Sequence, residues 1–193
     1  MTDLITIDKY KEIEGITSTK EDVKLEVFIP SVSQLVKTYC GNSIIDHYST
    51  NKVETFNINW HTHIVQLTES PVNTIVSVEE RNTYEDSYNT LTTAAYEYYF
   101  DATTDSVIRT TGGSSYKNWR QGPGAVRVTY TAGYAETPAD LKLACLDLVQ
   151  YYHKEEHTQR RTLAGATVEN PGTGDGRGFP DHIKRVLDMY KNF

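Results

Sequence analysis

Cysteine is scarce in this 193-residue sequence: Cys40 and Cys145 stand far apart, in neither a redox nor a metal-ligand spacing. No disulfide framework is implied, and both thiols fall on apolar helical stripes, where core packing is the expected role. Long apolar runs are also missing. None approaches the roughly 20 residues that span a bilayer, and the N-terminus lacks a charged-then-apolar leader, so the expectation is a soluble protein made in a cytoplasm, with no membrane partner. Positive charge is in deficit as well. The net charge of −7 arises entirely before Pro138, where 11 Lys and Arg face 18 Asp and Glu, a balance that disfavours nonspecific clinging to DNA.

What is present is best read from the stretch Gly122 to Glu156, where a strand hands over to the most apolar helix of the chain. Val126, Val128 and Tyr130 alternate with Arg127, Thr129 and Thr131, the period of a strand with one buried face, opening after a Gly-Pro-Gly turn. Thr137-Pro138-Ala139-Asp140 then offers a capping hydroxyl, a proline at the first helical position and a carboxylate able to reach back to the cap. Leu141, Ala144, Cys145, Leu148, Val149 and Tyr152 form one stripe, and Leu143, Leu146 and Tyr151 widen it, which predicts a central helix covered on more than one side.

Upstream, a short helix is predicted between Leu4 and Gly15, capped by Thr6 and ended by Gly15, with Ile7, Tyr10 and Ile13 on one side. A second helix begins at Ser18 or Thr19. It runs through Leu25, Phe28, Ile29, Val32, Leu35, Val36 and Tyr39 to Gly41-Asn42, with a kink expected at Pro30. From Asn51 to Tyr134 the texture changes to short strand-like runs: Val53 to Asn59, Ile64 to Leu67, Ile75 to Glu80, Tyr96 to Asp101, Val107 to Thr110 and Val126 to Tyr130. Asp101 to Asp105 reads as a hairpin loop and Asn82 to Thr90 as a longer one. Nine of the fourteen tyrosines lie between Tyr48 and Tyr134, where they suit a half-buried pleated surface. After His157 a polar segment with glycine at every second position from Gly172 to Gly178 predicts a flexible loop, followed by a short amphipathic helix bearing Ile183, Val186, Leu187 and Tyr190. The expected fold is α+β: a small helical bundle carrying an inserted, mainly antiparallel β region and a C-terminal tail helix. Its parts are N-terminal helices at 1–50, a β-rich insertion at 51–134, a central helix at 135–158, and a loop with a docking helix at 159–193.

Chemistry is thinly signalled. His153-Lys-Glu-Glu-His157 matches the H-x-x-E-H pattern of inverted zinc peptidases, which makes a zinc hydrolase using His153, Glu156 and His157 the enzymatic alternative. A third ligand is missing from the spacing, and a solvated helix end is the blander reading of the same residues. His61-Thr-His63 is a possible zinc half-site with no Cys or acidic partner at ligand spacing. The glycine run lacks the Lys-Ser/Thr ending of a phosphate loop. The expectation is no catalytic residue, no metal and no cofactor.

The order of parts carries a resemblance: an IPSVSQLVKTYCG helix, a β region ending in VRVTYTAGY, then TPADLKLACLDLVQYYH and a terminal FPDHIKRVLDMY. This resembles the head-tail connector (adaptor, or head completion) family of tailed double-stranded DNA bacteriophages, over nearly the whole chain. The most specific pieces are Gly133 to Leu141 and Ile29-Pro30 before Tyr39-Cys40-Gly41. The resemblance implies a virion neck protein that forms a ring, typically a dodecamer, beneath the portal protein. It would join the filled capsid to a downstream neck or tail protein, with packaged DNA passing through without specific binding. It also implies portal docking through the C-terminal segment, here with Phe179, Ile183, Val186, Leu187 and Tyr190 as apolar anchors and Arg177, Lys184 and Arg185 as polar contacts. A tail terminator or minor capsid adaptor is the alternative structural role.

Overall fold

The structure is a computed structural model that describes residues 2–154, 160–163, 166–169 and 179–191. The fold is α+β, and the chain forms two compact units: Met1–Asn42 with Glu136–Phe193, and Ser43–Ala135.

The first unit is helical. Helix α1 (Ile7–Glu14) starts where the Thr6 hydroxyl accepts a hydrogen bond from the Lys9 N–H and stops at Gly15, whose φ of 66° is the left-handed cap. Helix α2 (Asp22–Cys40) ends the same way at Gly41 and continues as one helix through Pro30, whose ring lies on the exposed side. Helix α3 (Ala139–His153) packs against α2 and against α4 (Asp181–Met189). Leu141, Cys145, Leu148 and Val149 of α3 are fully buried, together with Leu25, Ile29 and Val36 of α2 and Ile183 and Leu187 of α4. Between α3 and α4 the backbone of β9 (Arg160–Leu163) pairs antiparallel with β10 (Ala166–Glu169), a ladder in a stretch read from sequence as loop.

Three sequence expectations about the bundle change. Leu35 is 38% exposed and Leu143 59% exposed, so each stripe is narrower than its apolar residues suggest. Thr137 does not cap α3: its hydroxyl donates to the Leu4 carbonyl at 2.7 Å, and Pro138 occupies the cap position. Asp140 does not reach back to the cap either, because its carboxylate accepts from the Tyr190 hydroxyl at 2.6 Å and from the Leu141 N–H.

The second unit is built from two antiparallel sheets. One has the order β1 (Lys52–Ile58), β8 (Gly122–Ala132), β3 (Val72–Glu80), β4 (Asn89–Leu91). The other has the order β2 (Ile64–Gln66), β6 (Ser106–Thr111), β5 (Tyr98–Asp101), with β7 (Ser115–Tyr116) also paired to β6. The Gly-Pro-Gly segment lies inside β8 instead of forming a turn before it. Register runs from Phe56 opposite Val126 to Ile58 opposite Gly122, a bulge that takes up Pro123 where no ladder donor is required. Gly133 is held at φ 93°, and a side chain there would collide with the Ile44 carbonyl.

Both sheets feed one core: Val78, Val126, Val128 and Tyr130 from the first, Val65 and Val107 from the second, and Trp119 between strands. Inside it, Arg109 on β6 meets Glu80 on β3 at 3.3 Å, with both side chains under a tenth exposed. The Arg109 guanidinium also donates to the Glu97 and Thr110 carbonyls, and Glu80 accepts the Arg120 N–H at 2.7 Å.

Two stability outcomes follow from this packing. Leu148→Ala is expected to cost about 2–5 kcal/mol, while Leu143→Ala stays within about 0.5 kcal/mol, as read from urea unfolding. Glu80→Ala leaves the Arg109 charge buried without its counter-ion, and should cost about 3–5 kcal/mol in the same measurement.

Candidate functional site

The C-terminal helix is the segment in which the family resemblance implies docking, and its surroundings decide what it can offer. Nine residues are too few for a stable isolated helix, so α4 depends on its contacts. Phe179 is buried with its ring edge-on to Tyr39, centroids 5.0 Å apart, and Ile183 and Leu187 are buried on the same side. The Tyr39 hydroxyl donates to Asp188 at 2.6 Å, and the Cys40 thiol lies 3.7 Å from the Leu187 carbonyl. The Tyr190–Asp140 hydrogen bond ties the far end of α4 to the start of α3 and holds the Asp140 carboxyl below its ordinary range, with burial opposing it and the Leu141 N–H adding to it. Three of the five proposed apolar anchors, Phe179, Ile183 and Leu187, are therefore committed to the chain's own core. Val186, Tyr190 and Lys184 are half-buried, and Arg185 is exposed beside His182 and Met189. Arg177 lies outside the described residues.

The histidine pattern of α3 behaves differently from a metal site. His153 points inward, between the edges of the Tyr10 and Phe28 rings, each with its centroid 6.2 Å away. Its Nε2 is 3.3 Å from Glu21, whose carboxyl is held low first by Lys24 and then by His153. This replaces the solvated helix end expected from the sequence with a structural contact joining α3 to the start of α2. Glu156 and His157 lie outside the described residues. His61 and His63 are not paired: His61 faces Gln121, and His63 stacks on Tyr116 at 4.6 Å. Among the described residues no group of three or more His, Cys, Asp or Glu side chains could hold a metal ion.

The β unit carries two features that the sequence reading did not identify. Lys52 bridges Glu69 at 2.8 Å and Glu54 at 3.0 Å. Glu69 also accepts from the Ser43 N–H and hydroxyl, and the Tyr130 hydroxyl accepts from the Glu69 N–H. Burial is the largest single effect and opposes the charges of both Lys52 and Glu69, but their mutual hydrogen bond, joined by Glu54 for the lysine, by Ser43 for the carboxyl and by the attraction between the charges, outweighs it, raising the lysine and lowering the carboxyl. The second feature is a cleft of about 530 Å³ lined by Tyr96, Tyr98, Tyr99, Tyr116, Asp101 and Ile108, among others. Tyr96, Tyr99 and Tyr116 are each more than half exposed, so these rings stand off the sheet instead of lying half-buried on it.

A family model described as "HCP: Head completion protein" matches residues 3–193. The chain belongs to the head completion protein family. The head completion protein of Escherichia phage T5 is 39% identical over 69 residues, which is 35% of this chain and 39% of the T5 protein. The matched stretch thus spans about two fifths of that relative. Among solved structures, a chain from the neck of an empty gene transfer agent particle, computed with C6 symmetry, superposes with a TM-score of 0.61 at 15% identity, covering 98% of this chain and 90% of that one. A chain from the native particle's neck, computed with C12 symmetry, gives 0.59 at 13% identity, covering 100% and 94%. At such identities the likeness concerns the fold. The family match extends over α4, which packs on α2 and α3.

The thiols provide a test of that closure. Burial pushes Cys40 up to about 11, with Asp188 adding and Lys191 opposing, and burial pushes Cys145 up to about 12. The folded protein then holds these protons more tightly than the unfolded chain, so unfolding releases protons above the ordinary thiol value of about 8.5 and stability falls as pH rises. The urea midpoint should be lower at about pH 9.5 than at about pH 7.5, and neither thiol should react with a maleimide at the lower pH until urea unfolds the chain.

Proposed function

We infer that this head completion protein is a structural component of the phage neck, standing between the DNA-filled capsid and the tail in the virion. The observation that carries the reading is the family match over residues 3–193. The proposed assembly is a ring, a dodecamer in the finer form of the reading. Its support is the fold shared with chains from particle necks computed with C6 and C12 symmetry. The portal protein is the proposed partner on the capsid side and a further neck or tail protein on the other. The role is one of holding components together and requires no catalysis.

Within this reading the C-terminal segment remains the proposed portal contact, with a division of labour among its residues. Phe179, Ile183 and Leu187 hold α4 on the bundle. Arg185 is exposed and Lys184, Val186 and Tyr190 are half-buried, so their outward surfaces form the proposed contact, to which Arg177 also belongs. A ring repeats each contact around its circumference, so that docking of one protomer presents the others at high effective concentration and modest single-site affinity suffices. The net charge of −7 suits a conduit for DNA, since like charge avoids sticking.

Particles assembled without this protein should accumulate as filled, tailless heads, and adding the purified protein should restore tail joining. Normal tailing in its absence would overturn the neck role. The double substitution Lys184→Glu with Arg185→Glu should leave the circular dichroism spectrum unchanged while weakening binding to purified portal rings by about tenfold or more. Unchanged portal binding would remove α4 from the contact.

A further inference from the structure

The outer side of α2 is unlike the rest of this charged chain. Nearly a quarter of the residues are Asp, Glu, Lys or Arg, yet the exposed positions of α2 from Val27 to Thr38 carry no charge. Val23 is 73% exposed and Val27 62%, with Pro30 and Leu35 exposed further along the helix. The charges that do face solvent, Lys24 and Glu26, sit near the start, and Lys24 is held by Glu21 at 3.1 Å.

The polar groups on this side are turned in on the helix itself. The Ser31 hydroxyl donates to the Val27 carbonyl at 2.7 Å, and the Gln34 amide donates to the Thr38 hydroxyl at 3.1 Å. Groups already partnered within their own helix lose less when water is removed, so the face is cheap to desolvate. Interface centres have this composition: depleted in charge, with apolar and small polar side chains.

We propose that the outer face of α2, from Val23 to Thr38, is the surface through which one copy of this chain meets the next in the ring. The proposal rests on the ring assembly inferred above. Charge bears on the occupant: copies that each carry −7 repel at long range, so a contact between neighbours costs least where the face that one of them offers to the next carries little charge of its own. A nucleic acid is disfavoured, because a face whose sole cation is the paired Lys24 cannot neutralise phosphates. Size points the same way. Sixteen helical residues give a strip about 24 Å long and about 10 Å wide, well below the roughly 800 Å² per partner of a stable isolated pair. A strip that small suits a contact repeated around a closed ring, where every link is supported by the others.

The test compares the wild-type chain with Val23→Glu/Val27→Glu by sedimentation velocity over a range of concentrations. Both positions are exposed, so the variant should fold, which circular dichroism verifies. The expected result is an oligomer for the wild type and a shift in its assembly midpoint of about tenfold or more for the variant, because the added carboxylates must be desolvated against an acidic neighbour. In a second arm, Gln34→Cys is labelled with a benzophenone maleimide and irradiated, a probe that captures whatever surface lies against it. The native thiols are buried, so the label goes to the introduced thiol and should give a chain-to-chain adduct. A wild type that assembles while the variant assembles equally well, or while no adduct forms, overturns this surface and leaves the ring standing. A wild type that stays monomeric throughout overturns the ring reading and this proposal with it.

Discussion

Burial of helix α3 on two sides is the constraint on which the helical unit depends. Leu141, Cys145, Leu148 and Val149 are fully buried, and a helix so apolar can be stable in water only if other segments cover it. Helix α2 provides one cover with Leu25, Ile29 and Val36, and α4 provides the other with Ile183 and Leu187. The second cover comes from a segment too short to be helical by itself, so α3 and α4 stabilise each other. The two tyrosine–carboxylate bonds, Tyr39 to Asp188 and Tyr190 to Asp140, tie the C-terminal end of α4 to α2 and to α3. Among the described residues of this unit, the outward side of α4 and the outer side of α2 from Val27 to Thr38 stay exposed.

The β unit obeys a different constraint. Its two sheets share an apolar core, but the Glu80–Arg109 pair runs from one sheet to the other through that core. Such a pair adds little net stability over well-packed apolar groups, yet it is costly to break and so fixes which strands face each other. The Lys52–Glu69–Ser43 group does the same at the start of β1. Charge in this unit is thus spent on internal alignment, while tyrosines stand exposed on the second sheet.

How much of this was legible in sequence depended on how local the cause was. The α1 caps at Thr6 and Gly15 were legible because capping involves neighbours within one turn. The stripe of α3 was legible because its period is built into the helix. The role of Thr137 was not, since its partner is the carbonyl of Leu4, more than a hundred residues away. Leu35 and Leu143 fit the apolar pattern, but exposure is set by which neighbours arrive, and periodicity cannot count neighbours. Strands β4 and β7, three and two residues long, are too short to display alternation at all. The Gly-Pro-Gly segment read as a turn because a ladder excludes proline in general, whereas the bulge opposite Asn57 makes room for it. For the site, the amphipathic character of α4 was plain, but the same spacing serves a core as well as a partner. Three of its anchors turned out to face inward.

Hydrogen exchange of the α4 amides tests the central claim most directly, because it asks whether this helix is part of the bundle before any partner is present. In the isolated wild-type protein, the amides of Ile183 to Met189 should be protected to a degree comparable with those of α3, since opening either helix uncovers the other. Exchange of the α4 amides at the rate of an unstructured peptide, with α3 still protected, would contradict the account.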